Sequence, residues 1–479
     1  LQSVVKVRII LYFGSLIPEL VMKKILLVCG SVLLLTGALQ AQKASKSGWQ
    51  DLFNGKDLKG WKQLGGKAIY TARNGEIVGT TVVNTPNSFL ATEKDYGDFI
   101  LELEFKLDKE FNSGIQFRSQ SRPDYNNGRV FGYQMEIDPS DRKWSGGIYE
   151  EGRRGWQYPM EYNPGGQNAF KKTDWNKYRI ECRGNEIRTW VNGVATAHLV
   201  DTALPKGFIA LQVHSIGKDG ADAGKDIRWR NVRIIENPSP SQYSPYDNIY
   251  VVNNVVNTVS AQQKKNGFQL LWDGKSSKGW RGYNQKGFPD KGWTYNDGTM
   301  TIHNSNGDEM GSGGDIVTEK EYSAFEVEFE FKLTKGANSG VKYFVKESYD
   351  TKGKSAIGLE YQVLDDETHP DAKLGRDGNR TLASLYDLMT RKQEKRALLP
   401  IGEWNKGRII VYPNNHVEHW LNGFKVLEYE RGSQAFKDLV AISKYKNWNN
   451  FGLWPEGRLL LQDHGNEVSY RSLRIKTLK

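Results

Sequence analysis

Alternation of apolar and polar side chains with a period of two dominates this chain. In Phe99–Leu107, the residues Phe99, Leu101, Leu103, Phe105 and Leu107 fall on one face, and Ile100, Glu102, Glu104 and Lys106 on the other. A pleated strand needs that alternation when one face is buried. The pattern recurs in Phe325–Leu333, Tyr178–Val191 and Arg408–Leu421, and in Ile227–Ile234 and Val468–Ile475. Asn192-Gly193 and Asn422-Gly423 follow two of these runs, and Asn-Gly adopts the positive φ of a tight hairpin turn. The 50 Gly, 23 Tyr, 19 Phe and 14 Trp favour turns and aromatic strands over long helices. An all-β fold is predicted, with antiparallel sheets packed face to face as a jelly-roll β-sandwich.

The pattern is written twice. Trp49–Lys56 matches Phe268–Lys275, and Lys59-Gly60-Trp61 matches Lys278-Gly279-Trp280. Phe99–Leu107 matches Phe325–Leu333, and each is followed by an Asn-Ser-Gly turn at Asn112–Gly114 and Asn338–Gly340. Asp174–Lys177 pairs with Glu403–Lys406, and Trp190–Gly193 with Trp420–Gly423. Repetition on this scale predicts two tandem sandwiches, 48–236 and 267–479. Between them 237–266 carries Pro238, Pro240 and Pro245 without helical period, and reads as a linker or a partly ordered bridging strand.

Composition narrows the function classes. With 25% charged and 38% hydrophobic residues, a membrane transporter, a collagen-like repeat and a wholly disordered chain are excluded. The net charge of +10 comes from scattered Lys and Arg, part of it from Lys6, Arg8, Lys23 and Lys24, so no nucleic-acid groove is expected. Met22-Lys23-Lys24, the apolar run Ile25–Leu39 and the small residues up to Ala41 form a signal-peptide pattern over 22–41. Residues 1–21 then read as an upstream extension of a misplaced start. The run is short for a membrane span. The expectation is an exported protein, periplasmic or extracellular, with no membrane span in the mature chain. Cys29 lies mid-run, unlike a lipoprotein cysteine, and Cys182 alone would remain. An intrachain disulfide and a Cys-based zinc site are thereby excluded.

Candidate chemistry gathers on strands and the loops after them. Glu360 and Gln362 share a strand face; counted from the Asn-Ser-Gly segments, Gln134 falls on Glu360 and Glu136 on Gln362. An acid beside an amide suits vicinal sugar hydroxyls, and the acid can move a proton. Beyond Glu360 lie His369, Asp371, Lys373, Arg380 and Tyr386, concentrated in a loop that could form the rim of a site. In the first half the equivalent stretch follows Asp138 and holds Trp144, Glu150, Glu151, Arg153, Arg154 and Trp156, read as a sugar platform of aromatic faces and guanidinium forks. Near the chain's end Gln462-Asp463-His464 interrupts an apolar strand, and His464 aligns with His214. A metal set of Asp365, His369 and Asp371 has no supporting spacing; no cofactor is expected, and a divalent cation such as calcium stays unsupported.

The opening Leu-Phe-Asn-Gly-Lys-x-Leu-x-Gly-Trp, the Asn-Ser-Gly turn, Glu-Tyr-Gln-Val-Leu-Asp (Glu360–Asp365), His-Pro-Asp-Ala-Lys (His369–Lys373), Ser-Leu-Tyr-Asp-Leu (Ser384–Leu388) and Leu-Gln-Asp-His-Gly (Leu461–Gly465) resemble the 3-keto-disaccharide hydrolase domain. The first half keeps the opening, the turn and the terminal strands but lacks the two central motifs, so it belongs to another branch, with a different substrate or a binding role. The resemblance implies a concanavalin-like jelly roll, hence two tandem concanavalin/jelly-roll-like antiparallel β-sandwiches. It also implies cleavage of glycosides already oxidised at C3. A C3 ketone acidifies the C2 proton; a base removes it, the C1 oxygen leaves, and water adds back. On that reading Glu360 or His464 is the base, Lys373 and Arg380 stabilise the enolate, and Asp463 is the acid. Gln362, His369, Asp371, Tyr386 and Gln462 bind substrate, as do Gln134, Glu136, Asp138, Glu150, Arg153, Arg154, Trp156 and His214. No Gly-x-Gly-x-x-Gly follows a strand, so a separate NAD(P)-dependent glycoside 3-oxidoreductase would supply the ketone. Two alternatives stand beside this: a retaining glycosidase resembling family 16 glycoside hydrolases, begun by Glu136-Ile137-Asp138 but without the second Glu its mechanism needs, and a non-catalytic carbohydrate-binding protein.

Overall fold

The computed structural model describes residues 48–218, 220–306, 313–347 and 356–479; the expected extension and signal peptide fall outside the described residues. Each half folds its alternating strands into two antiparallel sheets. In the first, Phe99–Leu107 lies between Asn176–Arg183 and Asp226–Glu236 in the larger sheet. The facing seven-stranded sheet runs Gly155–Tyr158, Ile148–Glu151, Val130–Ile137, Ser113–Ser121, Phe208–Val213, Ser88–Thr92 and Trp61–Gly65. In the second, Phe325–Leu333 lies between Trp404–Val411 and Val468–Thr477. Its facing sheet has five strands in the order Trp280–Gly282, Ile316–Tyr322, Gly457–Leu461, Asn338–Val345 and Leu359–Leu364.

The period-two residues meet between the sheets, as apolar burial requires. Leu101, Leu103, Phe105, Tyr178, Ile180, Ile234 and Trp229 fill the first core, and Val327, Phe329, Phe331, Ile409, Tyr470 and Ile475 the second. The polar face of Phe99–Leu107 is covered as well: Glu102 takes Lys177 at 3.0 Å, Arg179 at 2.9 Å and Arg233 at 2.7 Å.

The Asn-Ser-Gly segments are not turns. Ser113 and Asn338 open strands, and their glycines are needed for close approach. A Cβ on Gly114 would overlap the Gln134 side chain, and one on Gly340 the Glu360 carboxylate. Register confirms the repeat: Gly114 faces Glu136 and Gln116 faces Gln134, while Gly340 faces Gln362 and Lys342 faces Glu360.

Residues 237–266 form an ordered bridge. Ser244 donates to Glu181 at 2.7 Å, and Arg188 donates to the carbonyls of Ser244 and Pro245. Val252 extends the first sandwich as a parallel strand beside Leu199. A capped helix at Ala261–Lys265 follows, and Arg474 of the second sandwich donates to the Thr258 carbonyl at 2.6 Å. Proline and serine keep this segment out of sheet interiors, and side-chain donors satisfy its backbone instead.

The halves also touch directly, within the single compact unit formed by 51–479. Tyr162 stacks on Trp420, with centroids 5.8 Å apart and planes at 8°. Trp144 is fully buried against Phe424 at 5.7 Å, under the Arg396 guanidinium. Trp144 is therefore part of the junction and not of a sugar platform. Its loop carries apolar surface because the second sandwich covers it.

Candidate active site

The five-stranded sheet of the second sandwich forms the floor of a cavity of about 640 Å³. Glu360 and Gln362, two apart on Leu359–Leu364, face into it together, as strand geometry dictates. Lys342 stands directly opposite Glu360 on the neighbouring strand, and Gln462 completes the group. With amides oriented so that nitrogens meet acceptors, Gln362 and Gln462 each donate to Glu360 Oε1 at 3.3 Å. Gln462 Oε1 then accepts from Lys342 Nζ at 3.3 Å, and Lys342 also donates to the Ala356 carbonyl at 3.1 Å. Glu360 and Lys342 are 4% and 9% exposed, and Gln462 bridges the two side chains. Gly340 leaves the room in which the Glu360 carboxylate sits. Gly340→Ala is expected to fold but to displace that carboxylate, lowering turnover by up to about 10²-fold. Steady-state kinetics beside a melting curve checks this.

A second polar group lines the same cavity. Asp315 accepts from the Asp463 N–H at 2.9 Å. Desolvation pushes the Asp315 carboxyl up to about 6, against the Lys342 charge, which pulls it down. Asp463 accepts from Gly314 N–H at 3.1 Å and Gly465 N–H at 2.9 Å. Both its oxygens hold loop backbone, which leaves Asp315 as the carboxyl placed to give a proton. His464 lines the cavity, with the His369 ring 5.9 Å behind it at 88°. Burial and the neighbouring His464 hold His369 below the usual imidazole range.

The predicted rim divides. Tyr386 lines the cavity and donates to Asp371 at 2.8 Å. Arg380 donates to Asp371 at 2.8 Å and to Asp387 at 2.7 Å. Arg380 is thus spent on two carboxylates and, with Asp371, positions Tyr386 from behind; it does not reach the enolate position assigned to it. Lys373 is exposed on the turn Pro370–Lys373, outside the cavity lining. Among the described residues, the cations that do line it are Lys342 and Lys444, the latter 4.1 Å from the Tyr386 ring centroid. Lys342, Asp315, Lys444 and Tyr445 were not singled out from the sequence. The signal for Lys342 was its place two residues after Gly340, on the strand that the repeat pairs with Glu360. The Asp365–His369–Asp371 set is not assembled: Asp365 holds the Gly336 N–H at 2.7 Å and Asp371 holds Arg380 and Tyr386. Among the described residues, His416, Glu418 and Glu428 do converge, but on the opposite sheet, tied to Lys425 and Glu430.

In the first sandwich Gln134, Glu136, Trp156 and His214 line a smaller cavity of about 330 Å³. Asn112 and Gln134 donate to Glu136 at 2.6 and 2.8 Å. Four other assignments fail. Glu150 is fully buried and paired with Arg153 and Arg154, and Arg154 also grips Asp201 at 2.9 Å. This ion network is structural: the charges meet each other before any ligand. Asp138 is likewise bound by Arg142 at 2.7 Å. Equivalent positions show how the sites diverged. Gln116, Phe89 and Val213 stand where the second sandwich has Lys342, Asp315 and Asp463.

Burial pushes Glu136 up to about 7, although Asn112 and Gln134 oppose the shift. The folded chain then binds a proton that the unfolded chain has released between about pH 4.5 and 7. That contribution to stability is present below pH 4.5 and is lost as pH rises through 7; it amounts to about 3 kcal/mol. Glu136→Gln does not titrate, so its melting temperature is expected to fall less than the wild type's over that interval, as thermal melts in a pH series would measure.

A curated relative, the 3-keto-disaccharide hydrolase of Bacteroides thetaiotaomicron, is 40% identical over 232 residues, covering 44% of this chain and 79% of its own. Two crystal structures of candidate glycosyl hydrolases from Parabacteroides distasonis align with part of the chain. One is 30% identical with a TM-score of 0.41, covering 47% of this chain and 100% of its own; the other is 25% identical with a TM-score of 0.34, covering 44% and 99%. The 3-keto-alpha-glucoside-1,2-lyase-like domain matches twice, at 48–235 and 267–476, and the chain belongs to that family.

Proposed function

We propose that the second sandwich cleaves the glycosidic bond of glycosides already oxidised at C3, by C2 proton abstraction, elimination of the C1 oxygen and hydration. Membership of the family makes the chain a glycoside-hydrolase-type enzyme. The observation that carries the finer reading is the buried Glu360–Lys342 pair, set between Gln362 and Gln462 on the cavity floor. A ketone at C3 makes the C2 proton removable by a carboxylate, and the enolate that forms needs a fixed positive charge. Glu360 takes the proton. Lys342, with Lys444 also lining the cavity, meets the charge on the enolate oxygen. Asp315 gives a proton to the departing C1 oxygen, and Tyr386, held by Asp371, fixes the sugar. Water then adds at C1, giving a proton to the Asp315 carboxylate, and C2 takes its proton back from Glu360.

The test offers the chain a 3-keto-glucoside and its unoxidised parent. Release of aglycone from the ketone alone supports the proposal. Release from the parent points to a retaining glycosidase, and binding without release to a lectin-like role. The ketone would come from a separate NAD(P)-dependent glycoside 3-oxidoreductase. Export through segment 22–41 is part of the same reading; N-terminal sequencing of the secreted product is expected to start just after Ala41.

A further inference from the structure

We propose that the seven-stranded sheet of the first sandwich carries a second saccharide site, which holds an uncharged glycosyl unit without cleaving it. This rests on the reading of the protein as a saccharide enzyme and deepens it. The carrying observation is Gln212. Its side chain is fully buried, neither its nitrogen nor its oxygen has a partner, and it lines the 330 Å³ cavity. A buried amide left unmade in both directions is costly, and a ligand with vicinal hydroxyls satisfies both atoms at once.

The surroundings fit the same ligand. Glu136, with Asn112 and Gln134 on its oxygens, presents a carboxyl beside two amides. His214 is tied to the Ser215 carbonyl through Nδ1 at 2.8 Å, which leaves Nε2 for a ligand. Trp156 and Tyr149, with ring centroids 5.3 Å apart, supply the apolar wall on which pyranose C–H groups lie. The two guanidinium groups at this cavity are already neutralised, Arg142 by Asp138 and Arg129 by Glu151, so an anionic ligand is not selected. Cleavage is another matter. The cation and both carboxylates that surround Glu360 in the second sandwich are replaced here by Gln116, Phe89 and Val213. The enolate and the leaving oxygen would find no charged partner at those positions.

Equilibrium dialysis of the full chain against radiolabelled methyl α-glucoside tests this, with Gln212→Leu and Trp156→Ala as variants. Saturable binding is expected, with one equivalent weakened tenfold or more in each variant and retained in Glu360→Gln. Leu fills the same space without an unpaired amide, so Gln212→Leu should raise the melting temperature by about 2–4 °C. Binding that is absent, or unchanged in both variants, overturns the proposal. So does a lowered melting temperature in Gln212→Leu, which would give the amide a structural partner. Turnover of the 3-keto-glucoside is recorded separately. Its absence from the wild type would overturn the functional reading and leave the dialysis result standing.

Discussion

Glu360→Gln is expected to lower kcat on a 3-keto-glucoside by about 10²–10⁴-fold, the range over which a positioned general base acts. The substitution keeps the volume of the side chain and removes only its ability to accept a proton. Gln362 and Gln462 still frame it, and Lys342 keeps the Ala356 carbonyl and Gln462 as acceptors, so the fold is expected to survive. KM should change far less than kcat, because the lost interaction belongs to the transition state. His464 is the other base candidate on the cavity wall. His464→Asn, assayed in parallel, separates the two. If His464→Asn loses turnover by this amount and Glu360→Gln keeps it, Glu360 is a binding residue and the imidazole is the base.

Much of this arrangement was legible in the sequence, for reasons that also mark where reading stopped. Period two fixes which residues share a strand face, so Glu360 and Gln362 were placed together, and the repeat brought in Gln462, Asp463 and His464. Residues contributed across strands were harder. Lys342 sits on the strand beside that of Glu360 and Asp315 just before the strand Ile316–Tyr322, and only the pairing register puts them in one cavity. Charged loops misled in a consistent way. Arg380, Glu150, Arg153 and Arg154 looked like ligand-binding forks, yet each found an opposite charge within its own loop or sheet. Trp144 read as part of a sugar platform because a sequence pattern carries no information about docking; its ring is covered by Phe424 of the other half. The duplicated scaffold explains the economy of the outcome. Both sheets place a polar pair opposite a glycine; between the sandwiches the acid and amide of that pair exchange places, and Gln116, Phe89 and Val213 replace Lys342, Asp315 and Asp463.

Lys342→Met should show what that charge does. Removal of a preorganised cation from a developing oxyanion costs about 10²–10³-fold in kcat, less than loss of the base, because Lys444 also lines the cavity. The pH profile gives a second and independent readout. Desolvation pushes Asp315 up to about 6, and Lys342 is the charge that holds it from going higher. Asp315 acts as an acid, so activity falls where it loses its proton, near pH 6 in the wild type. Without the ammonium group the carboxyl keeps its proton to higher pH, and the alkaline limb of kcat/KM should move upward. A Lys342→Arg variant restores the charge and should bring the limb back towards its original position, even if its wider head group recovers little turnover. A Lys342→Met enzyme within threefold of wild-type kcat, with the alkaline limb unmoved, would remove both the oxyanion role of Lys342 and its coupling to Asp315.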